Sequence, residues 1–128
     1  MNSQLNVQQR KLTTEELNDI IIDCIQDIKG KNIVKLDMRQ LEDAPTDFFI
    51  ICEGDSNTQV KAISGNLYKR LKQEYGVVPN HTEGEQAAVW ICVDFFTTVV
   101  HIFGREKREF YDLENLWSDA QFTSYESL

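Results

Sequence analysis

The sequence predicts an α/β domain, a mixed β-sheet packed with helices. Two long stretches carry apolar residues at helical spacing, and four short apolar runs have strand length. Their order, helix, strand, strand, helix, strand, strand, short helix, is that of an α/β chain. A chain of 128 residues is the length of one domain and can bury a core without disulfides or metal.

Residues 1–12 are polar, rich in Asn and Gln, and are expected to form a flexible tail. Thr13 and Glu16 then read as a capping box. Leu17, Ile20, Ile21, Cys24, Ile25 and Ile28 follow at helical spacing, and Lys29 and Gly30 supply a cationic last turn and a stop. Ile33–Asp37 is a short strand. Residues 43–47 form a turn in which Pro45 pushes Ala44 towards an extended backbone. Phe48–Cys52 is unbroken apolar sequence, as expected for a strand buried on both faces.

Gly54 turns the chain next, and Asp55 or Ser56 can cap a second helix lined by Val60, Ile63, Leu67 and Leu71. Gly76 ends that helix, and residues 77–86 read as a polar loop. Two strands follow in Ala88–Phe103. A crossover helix of about 20 residues suits parallel pairing between the strand before it and the first strand after it, whereas the last two strands, tightly joined, must be antiparallel. Residues 105–117 read as a short charged turn and an aromatic-acidic helical segment ending in Trp117. Residues 119–128 are assigned to a second flexible tail.

With 41% hydrophobic and 27% charged residues, the composition is that of a soluble globular chain. No apolar run approaches the roughly 20 residues of a membrane span, and no signal-peptide pattern opens the chain. Cys24, Cys52 and Cys92 sit singly in apolar elements, which suggests a reduced cytoplasmic protein with core thiols. The balance of 13 Lys and Arg against 21 Asp and Glu gives a net charge of −8. Such a chain is poorly suited to phosphate backbones, because nucleic-acid affinity comes largely from cationic side chains. No direct nucleic-acid binding is expected beyond incidental contact. A basic protein surface is a better electrostatic complement.

In the last strand pair, Val89, Ile91, Val93, Val100 and Ile102 make an aliphatic face, suited to a core. Trp90, Cys92, Asp94, Val99, His101 and Phe103 make the opposite face, whose aromatic and polar mixture suits a partner or ligand. Catalysis has little support. Cys92 and His101 could be cross-strand neighbours, but an ordinary sheet pair explains that spacing more simply. No CxxC, HxxxH or HxH spacing is present, and His81, Glu83 and Glu85 read as a solvated loop, so neither metal nor cofactor is expected. The Gly54-Asp55-Ser56 turn lacks the Lys of a phosphate loop, and helix capping accounts for it. A nucleotidyltransferase needs a tight acidic pair to hold magnesium, and its strand here offers only Asp94. By contrast, Arg108, Phe110, Tyr111, Leu113, Leu116 and Trp117 bring hot-spot residue types together. Of these, Leu113, Leu116 and Trp117 are expected to pin the helical segment onto the sheet. Trp90, His101, Arg108 and Tyr111, polar-tipped groups near the exposed face, are candidate contacts, and Glu114 can pair with Arg108.

Together, Trp90, Asp94, VVHIF (99–103), Arg108, FYDLENLW (110–117), TDFFIICEG (46–54) and HTEG (81–84) resemble the ribosomal silencing factor family, also called Iojap-like. The resemblance runs from about Thr14 to Trp117, with its motifs in family order, and assigns residues 13–118 to that domain. It implies a nucleotidyltransferase-like fold without catalytic carboxylates, and a non-enzymatic cytoplasmic factor. Such a factor binds large-subunit ribosomal protein fourteen, blocks joining of the small subunit and represses translation when nutrients are scarce. It further implies partner contacts at Trp90, Asp94, His101, Arg108, Tyr111 and Glu114, extended to Val99 and Leu113. A large-subunit assembly factor would use the same contacts, and a small metal-dependent enzyme built on Asp94, Glu83 and Glu85 is the rival class. A homodimer through the exposed sheet face is left open.

One departure stands out. Where the family turns through Asp-Tyr-Gly-Asp, this chain has Asp94-Phe95-Phe96-Thr97. Loss of the Gly, which most easily takes positive φ, predicts a longer or differently shaped turn with Phe96 exposed.

Overall fold

The computed structural model describes residues 11–128. Helix α1 (Thr14–Asp27) opens with the expected capping box: Glu16 N–H donates to Thr13 Oγ1 at 3.0 Å, and Thr13 N–H donates to Glu16 Oε1 at 2.9 Å. Its stop is built differently from expectation. Lys29 takes the left-handed conformation (φ 61°) that the sequence suggests for Gly30. Gly30 is required for space instead, because a Cβ there would collide with the Ile25 side chain. Helix α2 (Asn57–Tyr75) is capped by Ser56, whose hydroxyl accepts from Gln59 N–H, and it ends at Gly76 (φ 68°). Arg70 ties the two helices, reaching Asp23 at 2.8 Å and Asp27 at 2.6 Å.

Six strands form one sheet: β1 (Lys31–Asp37), β2 (Phe48–Gly54), β3 (His81–Glu83), β4 (Trp90–Asp94), β5 (Thr98–Gly104) and β6 (Gln121–Tyr125). Their order is β3-β4-β5-β2-β1-β6. The mixed sheet is as expected, but the parallel pairing falls elsewhere. The α2 crossover returns the chain to β3 at the sheet edge, β4 pairs beside it one position too far out to meet β2, and β5 folds back antiparallel to β4 into the gap. The partner parallel to β2 is therefore β5, with Gly54 opposite Gly104 at their carboxyl ends.

Two expectations about loose segments are corrected. Residues 121–125, assigned to a C-terminal tail, pair with β1 as an edge strand. The polar loop at 77–86 contains β3, which pairs with β4. Of the N-terminal tail, residues 1–10 lie outside the described residues, while Leu12 packs on the helix-side core.

The sheet carries a core on each face. Helices α1 and α2 cover the aliphatic side, burying Ile33, Ile50, Cys52, Ile91, Val93, Val100 and Ile102. One polar pair sits within this layer: Thr98 Oγ1 donates to Asn18 Oδ1 at 2.6 Å, both residues being fully buried. The mixed side is not left open as the sequence suggests. Val34, Leu36, Met38, Phe49, Ile51 and Phe103 form a second core there, over which Leu41, Leu113, Trp117 and Ala120 fold.

Candidate functional site

The second core carries the candidate site. Directly after β5, Gly104 caps α3 (Arg105–Tyr111), so the expected charged turn is helical. Asp112 then takes the left-handed conformation (φ 45°) and breaks the segment before α4 (Leu113–Leu116). Neither α3 nor α4 contains a fully buried residue. Their hold on the sheet comes from a few particular side chains.

Beneath them lies a floor of rings. Trp90 on β4 stacks on Phe103 of β5, centroids 4.9 Å apart, and its indole N–H donates to His101 Nδ1 at 3.1 Å. Phe49 of β2 meets the imidazole edge-on at 4.4 Å. Because Nδ1 accepts, the imidazole proton is on Nε2, which is buried with no hydrogen-bond partner among the described residues. Burial holds the His101 pKa down to about 4, so the ring is neutral at physiological pH. Tyr111 covers this floor, its ring 4.6 Å from that of Trp90.

Arg108 does the polar fastening. It donates to the Asn32 carbonyl oxygen at 2.7 Å, to Glu53 Oε1 at 3.1 Å, and to Glu114 Oε2 at 2.7 Å and 3.2 Å. A single guanidinium thus ties α3 to β1, to β2 and to α4. Its side chain is only 11% exposed. The planar fork and permanent charge of Arg suit such a multi-partner site.

The residues proposed from sequence therefore take different places. Tyr111 is the one that presents an open ring. Trp90 is half-buried under it, and His101 is buried in the floor. Arg108 and Glu114 pair with one another rather than pointing outwards. Val99 and Leu113 pack on the second core. Asp94 stands on the same sheet face, but one of its oxygens accepts from Phe96 N–H at 2.7 Å and closes the hairpin. Opposite Asp94 on β3 stands His81, which contacts Glu83 at 2.9 Å, and Glu83 lies two residues further along, opposite Cys92. This end of the face therefore has an acidic rim.

Two further exposed residues lie outside the contacts that the sequence suggests. Phe110, 77% exposed, meets Tyr111 edge-on at 5.0 Å, and Leu116, expected in the core, is 68% exposed. The sequence reads FYDLENLW as one helix, which would place Leu116 inward with Leu113 and Trp117. The break at Asp112 resets the helical phase, and only Leu113 and Trp117 pack inwards.

The hairpin tip resolves the departure noted at the β4–β5 turn. Rather than avoiding the left-handed conformation, the turn keeps it with Phe96 (φ 74°). The Phe96 carbonyl accepts from the Thr46 hydroxyl at 2.6 Å, and the ring is 71% exposed, as expected.

The possible nucleophile is not activated. Cys92 and His101 are cross-strand partners, yet burial pushes the Cys92 thiol up to about 11 while it pulls His101 down. A thiolate–imidazolium pair needs the opposite shifts. Among the described residues, no group of three or more His, Cys, Asp or Glu side chains is placed to hold a metal. Nor is any described helix long and apolar enough to cross a membrane.

Comparison with known proteins places this arrangement in context. A family described as "Ribosomal silencing factor during starvation" matches residues 11–128. The chain is 35% identical over 117 residues to "Ribosomal silencing factor RsfS" of Halalkalibacterium halodurans, covering 91% of this chain and 98% of that one. A crystal structure of a Chromobacterium violaceum protein superposes with a TM-score of 0.78 at 36% identity, covering 84% of this chain and 88% of that one. The chain is also 39% identical over 80 residues to the mouse protein "Mitochondrial assembly of ribosomal large subunit protein 1", 60% of this chain and 35% of that one.

Proposed function

The chain belongs to the ribosomal silencing factor family, and from that premise we propose that it is a non-catalytic docking factor of the cytoplasm. It binds large-subunit ribosomal protein fourteen and, by occupying that surface, blocks joining of the small subunit and represses translation under nutrient limitation. The observation that carries this reading is the exposed apolar surface of α3 and α4. Phe110, Tyr111 and Leu116 face solvent on a short segment fastened over a ring floor.

Large apolar side chains cost free energy in water, and aromatic anchors dominate binding hot spots. The acidic rim of Asp94 and Glu83, on a chain of net charge −8, complements a basic ribosomal protein and favours encounter with it. An interface of ordinary size, roughly 1,600 Å² in total, is sufficient for steric blocking. No bond need be made or broken. Trp90, His101, Arg108, Glu114, Val99 and Leu113 support the docking surface from beneath, whereas Tyr111, Phe110 and Leu116 meet the partner.

The test is co-sedimentation with purified large ribosomal subunits, followed by addition of small subunits. Wild-type protein should bind and reduce joining, and folded Tyr111→Ala and Phe110→Ala variants should each lose about 2 kcal/mol of binding. Unchanged binding by both variants would overturn the assignment of this surface. A second reading, assistance in large-subunit assembly, is favoured by the name of the mouse relative. Loss of the protein would then accumulate precursor subunits in growing cells, whereas silencing predicts excess joined ribosomes in starved cells.

A further inference from the structure

The surface just described depends on the rotation of α3 about its own axis, and that rotation has an identifiable control. At 3.6 residues per turn, Phe110 stands roughly 160° around the helix from Arg108, and Tyr111 stands about 60° from it. When Arg108 points into the sheet, Phe110 must point away from it and Tyr111 is swung over Trp90. Those are the observed positions.

Apolar packing alone fixes this rotation poorly, since α3 has no fully buried residue. The polar contacts of Arg108 fix it well, because each has a defined direction. Glu114 lies on α4, beyond the break at Asp112, so its bond with Arg108 ties the two short helices to each other and does not itself reach the sheet. The anchoring acceptors are the Asn32 carbonyl on β1 and the Glu53 carboxylate on β2. Of the two, only Glu53 is a side chain. It is itself 14% exposed, so its attraction to Arg108 is little screened by solvent. It also sits one residue before the Gly54 that closes β2, at the strand end where the backbone is held by parallel pairing with β5.

We infer that Glu53 is a positioning residue for the docking surface: its contact with Arg108 latches α3 in the rotation that presents Phe110 and Tyr111. The inference rests on the docking reading of the same surface. Glu53 touches no partner in this scheme. It sets the fraction of molecules whose aromatic pair is correctly presented, and affinity falls in proportion to that fraction.

The experiment uses Glu53→Ala and Glu53→Gln in the full chain, with Phe110→Ala as the contact control. Amide hydrogen exchange is followed across residues 105–116, together with affinity for purified bacterial large ribosomal subunits. Glu53→Ala should speed exchange in 105–116 while β2 and β5 keep their protection, and it should weaken binding roughly tenfold as the latched fraction drops to about a tenth. Glu53→Gln keeps an oxygen that can accept from Arg108, so it should restore most of both properties. Should Glu53→Ala fail to fold, Arg108→Lys serves in its place, because an ammonium cannot span the same acceptors in fixed geometry.

Unchanged exchange at 105–116 would overturn the latch. So would faster exchange with undiminished binding, provided that Phe110→Ala binds weakly. If neither Glu53→Ala nor Phe110→Ala alters binding although exchange accelerates, the docking reading itself fails and takes this inference with it.

Discussion

Replacing His101 tests the ring floor beneath the proposed docking surface, because that imidazole couples stability to pH with a predictable sign. The folded protein holds His101 at about 4, and the free side chain titrates at 6.5. Below pH 6.5 the unfolded chain takes up a proton that the folded chain refuses. Stability is therefore complete above about pH 6.5 and is lost as pH falls towards 4. Each pH unit below 6.5 removes about 1.36 kcal/mol, so the loss is about 2 kcal/mol by pH 5 and about 3 kcal/mol by pH 4. The comparison is His101→Asn, whose side-chain oxygen can still accept from the Trp90 indole but which cannot titrate. Both proteins carry the same carboxylates, so acid effects from those groups cancel in the difference. Urea unfolding at several values between pH 7.5 and pH 4.5, followed by circular dichroism, should show wild-type stability falling faster than that of the variant. Parallel decline of the two would refute the argument that His101 is buried neutral and bonded to Trp90 through Nδ1.

Other consequences can be checked with single substitutions. At the hairpin tip, Phe96→Gly should be more stable than Phe96→Ala by about 0.5–1 kcal/mol in thermal unfolding, because both lose the ring but only Gly relaxes at φ 74°. Trp117→Ala should cost about 2–3 kcal/mol of stability, since it opens the second core. Leu116→Ala, at an exposed position, should cost under about 0.5 kcal/mol of stability yet weaken binding to large subunits. A general thiol reagent at neutral pH should leave Cys24 and Cys52 unlabelled until the protein unfolds, because burial raises these thiols to about 11 and about 12.

Much of the fold is legible because its signals are local. The capping box of Thr13 and Glu16, the Ser56 cap and the left-handed Gly76 each act within a few residues. The pairing of β2 is not legible in this way. A crossover helix shows only that the chain returns to the sheet, whereas the position it returns to depends on β5 filling the gap. Strand β6 is hidden for another reason. Gln121 to Ser124 are exposed, so no hydrophobic alternation marks them, and pairing with β1 holds the strand. The site shows the same division. The sheet faces follow from period-two alternation, so the sequence places Trp90, His101 and Phe103 together. What covers them depends on one backbone residue, Asp112, whose left-handed turn separates α3 from α4. An Asp can adopt that conformation without marking the sequence as a Gly would, so the outward turn of Leu116 and the exposure of Phe110 leave no periodic trace.

The distribution of unsatisfied chemistry bears on the rival enzyme reading. In an α/β sheet, ligands favour the crevice beyond the carboxyl ends of neighbouring strands whose chains leave to opposite faces. Here Gly54 and Gly104 end β2 and β5 side by side, α2 leaves to one face and α3 to the other, and a cavity of about 610 Å³ lies between. Three of the charged groups lining it are already paired: Lys31 meets Asp55 at 2.8 Å, and Glu53 is held by Arg108. Asp94 spends an oxygen on the hairpin, and burial keeps both Cys92 and His101 uncharged at neutral pH. A substrate charge meeting Lys31, Asp55 or Glu53 would have to break an existing pair, at a cost that a partner contacting Phe110 and Leu116 does not meet. Burying those two exposed side chains releases ordered water and displaces no internal bond. That difference in cost favours recognition at the α3–α4 surface, where apolar area is left uncovered, over the strand-end positions of Lys31, Asp55 and Glu53, which already have partners.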